Sequence, residues 1–333
     1  MDFPTHALTS FALARGFFPR RGWPLVAGMV IGGTVADVDQ LSVFFGPAAY
    51  LAAYRTGTHS ILATPFIVAL SAAITFSLDK TRTIRLATIL AATFAAASAH
   101  VVMDLFQSGG ETLLWPFRST RFAADYLPNI DPWILTLLLA GILLPELFRL
   151  VGSEIGAKDK TPRGRNGALI ALAWIAAYIC ARGVLHGDAV EMLDAHSYRG
   201  ESPRRLGAFP DALSLLTWHG IAETQSLVCL AEVPVHSGTD FDAEAANCQH
   251  KPEPSPALEL AQKTIVAQEF LQSARFPRAS VEKTQDGYEV VIRSLRDVVE
   301  QEVRHSVAAR IVLDAKPRIF SEELVWAKEL RVR

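Results

Sequence analysis

Four stretches of the first 186 residues, 61–78, 84–106, 132–150 and 167–185, stay apolar long enough to cross a bilayer. A hydrocarbon core of about 30 Å needs roughly 20 apolar residues in a helix. In that solvent the backbone must satisfy its own hydrogen bonds, so each stretch is committed to α-helix. Two shorter stretches precede them. Residues 2–18 are mostly apolar and are closed by Arg15, Arg20 and Arg21, whereas 22–38 is apolar, glycine-rich and runs into Asp37 and Asp39. The first reaches roughly 25 Å, a short or tilted membrane helix. It does not read as a signal peptide, because its positive charges follow the apolar part and no small-residue cleavage site stands out. The glycines of 22–38 suit close helix packing.

The expected class is mainly α: a polytopic membrane helical bundle of about six helices over residues 1–186. A juxtamembrane helix and linker follow over 187–210, then a small α+β extramembrane domain over 211–333. The charge distribution supports this split. Charged residues are sparse in several runs before 186, and 187–333 is an ordinary mixture. A net charge of −2 with no basic stripe gives no reason to expect nucleic acid, and the bilayer is the expected partner. If the chain starts outside, one side of the membrane receives Arg15, Arg20, Arg21, Lys80, Arg82, Arg85, Arg149, Lys158, Lys160, Arg163 and Arg165. The short loops of the other side hold Arg55, Arg118 and Arg121. The positive-inside rule makes the first side cytoplasmic and places the C-terminal domain outside. In that domain strand-like runs at 213–221 and 225–233 precede a helix at 256–274. Two strand pairs follow at 279–295, turning at Asp286-Gly287, and at 308–323. Cys229 and Cys248 can pair in an oxidising compartment, and Cys180 lies in the last membrane helix.

Ionisable side chains inside such helices are expensive, and function is the usual reason to keep them. His100 and Asp104, four apart, share one helix face. Their plain reading is a satisfied core hydrogen bond. On the six-helix topology, however, His6, Asp37, Asp39, His59, His100 and Asp104 all fall at the outer ends of helices 1 to 4. Imidazole mixed with carboxylate suits zinc and other borderline divalent ions. Three histidines and three aspartates exceed the needs of one tetrahedral ion with an open position, so one or two ions are expected. Asp37 and Asp39, two apart, cannot share a face of a regular helix and are expected to ligate where the helix unwinds; the plain alternative is a helix end meeting water.

Arg55 precedes His59 by four in YRTGTHS. On a helical turn it points the same way and can hold a phosphate bidentately, or else it snorkels as an interfacial arginine. Arg55 and Asp39 are the candidate catalytic residues. Ser60 is expected as a helix cap, Trp115 as an interfacial aromatic at the lip of the pocket, and Glu111 as a solvated loop residue. His186, Asp188, Glu191, Asp194 and His196 read as the solvated face of a juxtamembrane helix.

His6, Asp37-x-Asp39, Arg55-Thr-Gly-Thr-His59-Ser60, His100-x-x-x-Asp104 and Leu113-Leu114-Trp115-Pro116, in this order, resemble the YdjM family. Its members are bacterial inner-membrane proteins classed as metal-dependent hydrolases, some of them LexA-regulated. The resemblance is most specific over residues 1 to about 135. Asp131-Pro132 also resembles a family position, although a helix cap followed by proline at the first helical position explains it without metal. Where the family commonly has His-Arg this chain has Tyr54-Arg55. The helical His-x-x-x-Asp with a further His and Asp is more weakly similar to zinc-dependent phospholipase C and P1-type nucleases, and this similarity turns a hydrolase into a phosphoesterase. Larger members share Trp218-His219-Gly220 and Ala274-Arg275-Phe276-Pro277.

The function these readings imply is a membrane-bound metal-dependent hydrolase, acting on a phosphoester of a phospholipid or of another extracytoplasmic substrate. Six residues hold the metal and Arg55 steadies the anion. The alternatives are a metal-ion or proton transporter, because intramembrane His and Asp also mark ion paths, and an inactive membrane anchor whose tail does the binding. A transporter needs polar residues across the whole bilayer. The candidate ligands cluster at one end.

Overall fold

The computed structural model describes residues 1–20, 22–154, 164–236, 241–300 and 305–330. The chain divides into two compact units, Met1–Asp39 with Arg55–Gly183, and Gln40–Tyr54 with Val184–Arg333. In chain order the helices of the first part are α1 (Phe3–Phe17), α2 (Trp23–Gly32), α3 (Pro47–Ala53), α4 (Thr64–Leu78), α5 (Leu86–Leu105), α6 (Pro132–Glu154) and α7 (Arg165–Asp194). Proline in the first turn of α1, α2 and α4 presets φ without losing a needed hydrogen bond. At α6, Asp131 Oδ1 caps the helix by accepting from the backbone N–H groups of Trp133 and Ile134 at 2.9 and 3.0 Å, as its Asp-Pro sequence predicts.

Among the described residues, three helices, α5, α7 and Pro132–Leu150 of α6, are long and apolar enough to cross a membrane. The number rises to five if two bent pairs each count as one span: Trp23–Gly32 with Val35–Phe45, bent by 48°, and Pro47–His59 with Thr64–Leu78, bent by 75°. About six helices were expected, counting the short first one. At about 1.5 Å per residue, the 15 residues of α1 fall short of the roughly 30 Å core. α2 stops at Gly32, and the chain continues as a 3-10 stretch, Val35–Phe45. α4 starts three residues later than the apolar run suggests, because Ser60 closes a turn before it: its Oγ donates to Gly57 O and accepts from Ala63 N. Of the basic residues used to orient the chain, Arg21, Lys158, Lys160 and Arg163 lie outside the described residues.

Small residues let the helices of this unit approach closely. A Cβ on Gly28 of α2 would lie 1.6 Å from Thr75 Oγ1 of α4, and one on Gly33 would lie 1.9 Å from Ser10 Oγ of α1. The hydroxyls along these seams return to their own helices. Ser71 donates to Ile67 O at 2.7 Å, Thr75 to Ser71 O at 2.8 Å and Thr93 to Ile89 O at 3.0 Å. Each polar group is thereby satisfied without a partner across the seam.

The second unit holds two antiparallel sheets, where the sequence suggested one. β1 (Arg205–Pro210), β2 (Thr217–Glu223), β3 (Leu227–Pro234) and β4 (Asn247–His250) form the first in sequential order. Residues 203–210, expected as a linker, are thus mostly its edge strand. Ala189 and Leu193 of α7 enter its core with Tyr198 and Trp218. Cys229 and Cys248 stand opposite each other across β3 and β4 and are disulfide-bonded, as the oxidising reading expects. After α8 (Pro256–Gln262) and α9 (Ile265–Ser273) come β5 (Pro277–Lys283), β6 (Gly287–Ser294), α10 (Leu295–Val299), β7 (Val307–Asp314) and β8 (Ile319–Trp326), the four strands again pairing in order. The break between α8 and α9 is set by Thr264, whose Oγ1 accepts from Ala267 N at 3.2 Å and so caps a new helix. Tyr50 and Leu51 of α3 pack against this second core.

Gly28→Ala should overpack the α2–α4 seam and cost about 1–3 kcal/mol. Thr75→Ala, which removes the oxygen in the way, should recover part of that loss when the two are combined. Thermal denaturation of the two single variants and the double variant in detergent measures the coupling.

Candidate metal centre

Six side chains from four segments meet at the ends of α1, α2 and α5. All are buried: His6, His59, His100 and Asp104 are at most 2% exposed, and Asp37 and Asp39 are 7% exposed. Local backbone delivers each of them. The last two turns of α5 carry His100 and Asp104. The 3-10 stretch after α2 turns Asp37 and Asp39 into the same space, as their spacing requires if both are to ligate. His59 ends a short 3-10 turn, Gly57–His59, and His6 sits in the second turn of α1.

His100 Nδ1 donates to the Gly33 carbonyl at 2.9 Å, which leaves Nε2 as the lone-pair nitrogen. That Nε2 faces His59 Nε2 at 3.1 Å. Two ligand nitrogens on a tetrahedral zinc are separated by about 3.3 Å when each bond is roughly 2.05 Å. Asp104 Oδ2 lies 3.3 Å from His59 Nε2 and 3.7 Å from His100 Nε2, and Asp37 Oδ1 lies 3.9 Å from His59 Nε2. His6 Nε2 is 3.0 Å from Asp104 Oδ1, and its ring stacks on His100 at 3.8 Å between centroids. Ligand atoms of His6, Asp37, His100 and Asp104 fall within 4.8 Å of one another, as do those of Asp37, Asp39 and His59. The two groups share Asp37, and buried imidazoles and carboxylates at these distances could hold a metal ion.

Asp39 also orients its neighbours. Its Oδ2 accepts from the Arg55 backbone N–H at 2.7 Å and from Thr58 Oγ1 at 3.0 Å, and it stands 3.1 Å from His59 Nδ1. A carboxylate on the far nitrogen of an imidazole fixes the tautomer that presents Nε2 to a metal.

Arg55 is not on a helical turn with His59, as its spacing suggested. It occupies the left-handed region at φ 54°, uncommon outside glycine. This conformation turns the buried guanidinium toward α5, where it hydrogen-bonds Gln107 Oε1 and lies 3.8 Å from Asp104 Oδ1. Gly109 makes room for it, since a Cβ there would lie 2.5 Å from Nη1. The Met1 amino group also contacts Asp104 Oδ1 and lies 2.8 Å from Gln107 Oε1. Positive charge therefore gathers around Asp104.

Sequence reasoning missed Glu111. Its backbone pairs with Phe122 in both directions, at 3.0 and 2.9 Å, and its side chain is fully buried. Neither carboxylate oxygen has a hydrogen-bond partner among the described residues. Burial, reinforced by the nearby Asp104 charge and opposed by His59 and Arg55, pushes its carboxyl up to about 8. The one sequence signal was an acid two residues before the apolar run Leu113-Leu114-Trp115. Gln107 and Gly109 were missed as well, although Gln107 follows Asp104 by one helical turn. The cluster at 186–196 forms no metal group among the described residues, and it lies on or just beyond the end of α7.

A multi-helix membrane protein with a buried histidine–aspartate cluster is the class that fold and site define. The chain belongs to the YdjM inner membrane protein family, whose family model matches residues 1–189. No curated protein and no solved structure matches it.

Because the folded protein holds the Glu111 proton more tightly than the unfolded chain, this group costs stability as pH rises from about 4.5 toward 8, by at most about 5 kcal/mol. In chelator-treated protein, the melting temperature of Glu111→Gln relative to wild type should therefore increase between pH 5 and pH 8. A difference that stays flat over that window contradicts the burial of an ionisable Glu111.

Proposed function

We propose that this chain is a membrane-embedded metal-dependent hydrolase of phosphoesters, with its site on the extracytoplasmic side. The observation that carries the reading is the convergence of His59 Nε2, His100 Nε2 and Asp104 Oδ2 within 3.1 to 3.7 Å of one another. Three buried aspartates outnumber the guanidinium and the amino group beside them, and a cation would offset the excess of negative charge. His6, Asp37, His100 and Asp104 would hold one ion, and Asp37, Asp39 and His59 would hold a second. Such an ion would supply Lewis acidity and lower the pKa of bound water toward neutrality. Asp39 keeps His59 in the tautomer that offers Nε2. Arg55, pinned by Gln107, holds the anionic oxygens of a phosphoester and offsets the charge that develops on the leaving group.

The side of the membrane rests on two supports: the excess of basic residues in the opposite loops, and the Cys229–Cys248 disulfide, which belongs in an oxidising compartment. In intact cells, both cysteines should resist alkylation until a reductant is added. A membrane-impermeant thiol reagent should then reach them.

Metal analysis of purified protein should find one or two equivalents of zinc, reduced at least tenfold by His100→Ala and by Asp104→Ala. The same variants should abolish hydrolysis in a screen of phosphodiesters and phospholipids. Metal content indifferent to both substitutions sinks the site. Full metal content with ion transport in liposomes and no hydrolysis sinks the reaction.

A further inference from the structure

A cavity of about 340 Å³ opens beside the metal centre, within the first unit. The early turns of α4 supply one wall through Ala63, Phe66, Ile67 and Leu70, and Val35 and Val38 supply another. Trp115 forms the lip, its indole packed over Gly57, where a Cβ would come within 3.6 Å of the ring. The volume lies in the usual range of small-molecule sites, about 300–1,000 Å³, yet the lining is almost wholly apolar. Its outer rim is also exposed: Phe66 is 70% accessible, Leu70 51% and Val38 52%. The rim thus continues into the apolar outer surface of α4.

The inner end is different. Thr58 lines the cavity and reaches the cluster at once, with its Oγ1 3.0 Å from Asp39 Oδ2 and 3.1 Å from His59 Nδ1. Val35 and Val38 bracket Asp37 in sequence, and Gly57 and Ser60 bracket His59. Thr58 therefore stands between a polar histidine–aspartate cluster and a hydrocarbon-like groove. A small soluble phosphoester would occupy the first part and leave the second bare. An amphipathic ester whose chain lies in the groove satisfies both.

We propose that the groove between α4, the 35–38 stretch and Trp115 is the acyl-chain subsite for a bilayer phospholipid, which enters sideways from the membrane and presents its phosphoester to the histidine–aspartate centre. The rim of the groove is continuous with exposed apolar side chains of α4, part of a bent pair apolar enough to cross a membrane, and glycerophospholipid acyl chains are what the solvent of such a surface consists of. The fate of the headgroup rests on the hydrolase reading. Occupancy of the groove does not.

The test uses full-length protein in nanodiscs containing a phosphatidylglycerol with a diazirine midway along one acyl chain. After photolysis the labelled peptides are mapped by mass spectrometry. Labelling should concentrate on residues 57–70 and Trp115, exceed that of the bilayer-facing Phe94 region of α5 by at least fivefold, and persist in His100→Ala. Ala63→Trp and, independently, Ile67→Trp should fill the groove and cut the labelling at least fivefold, in proteins whose elution and melting match wild type. Labelling that is no stronger at 57–70 than around Phe94, or that neither tryptophan reduces, overturns the proposal. Preferential labelling by a diazirine-bearing prenyl phosphate added in competition overturns the acyl assignment. Groove labelling in a protein without metal or hydrolysis defeats the hydrolase reading alone, and hydrolysis of soluble diesters with an unlabelled groove defeats the subsite alone.

Discussion

A fully buried carboxylate, Asp104, sets the terms for the membrane unit. Desolvating a carboxylate costs several kcal/mol unless opposite charge and hydrogen bonds replace the water. Here the replacements come from distant parts of the chain. His6 arrives on α1, His59 and Arg55 arrive from the segment before α4, and the Met1 amino group closes the circle. No single helix can satisfy Asp104 by itself. The carboxylate therefore acts as a tie between segments, and its demand for positive charge is the same property that makes the site attractive to a divalent ion.

The second constraint is backbone satisfaction at membrane depth. Irregular backbone is tolerated there only where it is buried in protein or lines a cavity. Both breaks in the helices meet that condition. Where α2 ends, the Gly33 carbonyl takes the N–H of His100, so a helix terminus and a ligand's tautomer are fixed by one hydrogen bond. Around Arg55, the backbone N–H goes to Asp39 and the carbonyl accepts from both the N–H and the hydroxyl of Thr112. Ile61 N–H donates to Leu113 O at 3.0 Å, tying the same segment to the loop that carries Glu111 and Trp115. The left-handed Arg55 is held by these bonds from both sides, as a residue in a sparsely populated conformation must be.

Much of this cluster was legible because its residues recur at spacings that bring side chains together. His100 and Asp104 share a helix face at i and i+4, and the two-residue spacing of Asp37 and Asp39 foretold an unwound helix. Arg55 was misplaced for a physical reason. A four-residue spacing implies a common face only in a helix, and a non-glycine residue at positive φ leaves no compositional trace. Glu111 was read as solvated because its burial comes from a bridge to Phe122, eleven residues away, and polar side chains in a glycine-containing loop look exposed from sequence. In the tail, alternating patterns located the strands of both hairpins, but prolines at 203 and 210 disguised β1 as a linker. The bends within two of the apolar stretches were not legible for yet another reason: hydropathy reports which residues tolerate lipid, not where the chain bends.

The hydroxyls of the helical seams bear on what the centre can do. An ion or proton path through the bundle needs polar atoms whose hydrogen bonds can be exchanged along the route. Ser71, Thr75 and Thr93 are fully buried, but each is committed to a carbonyl of its own helix and packed toward the glycines of α2. Opening a path there would mean breaking those bonds and separating helices that the absence of Cβ atoms lets touch. The polar centre is therefore closed below by close packing, while beside it lies the apolar groove under Trp115.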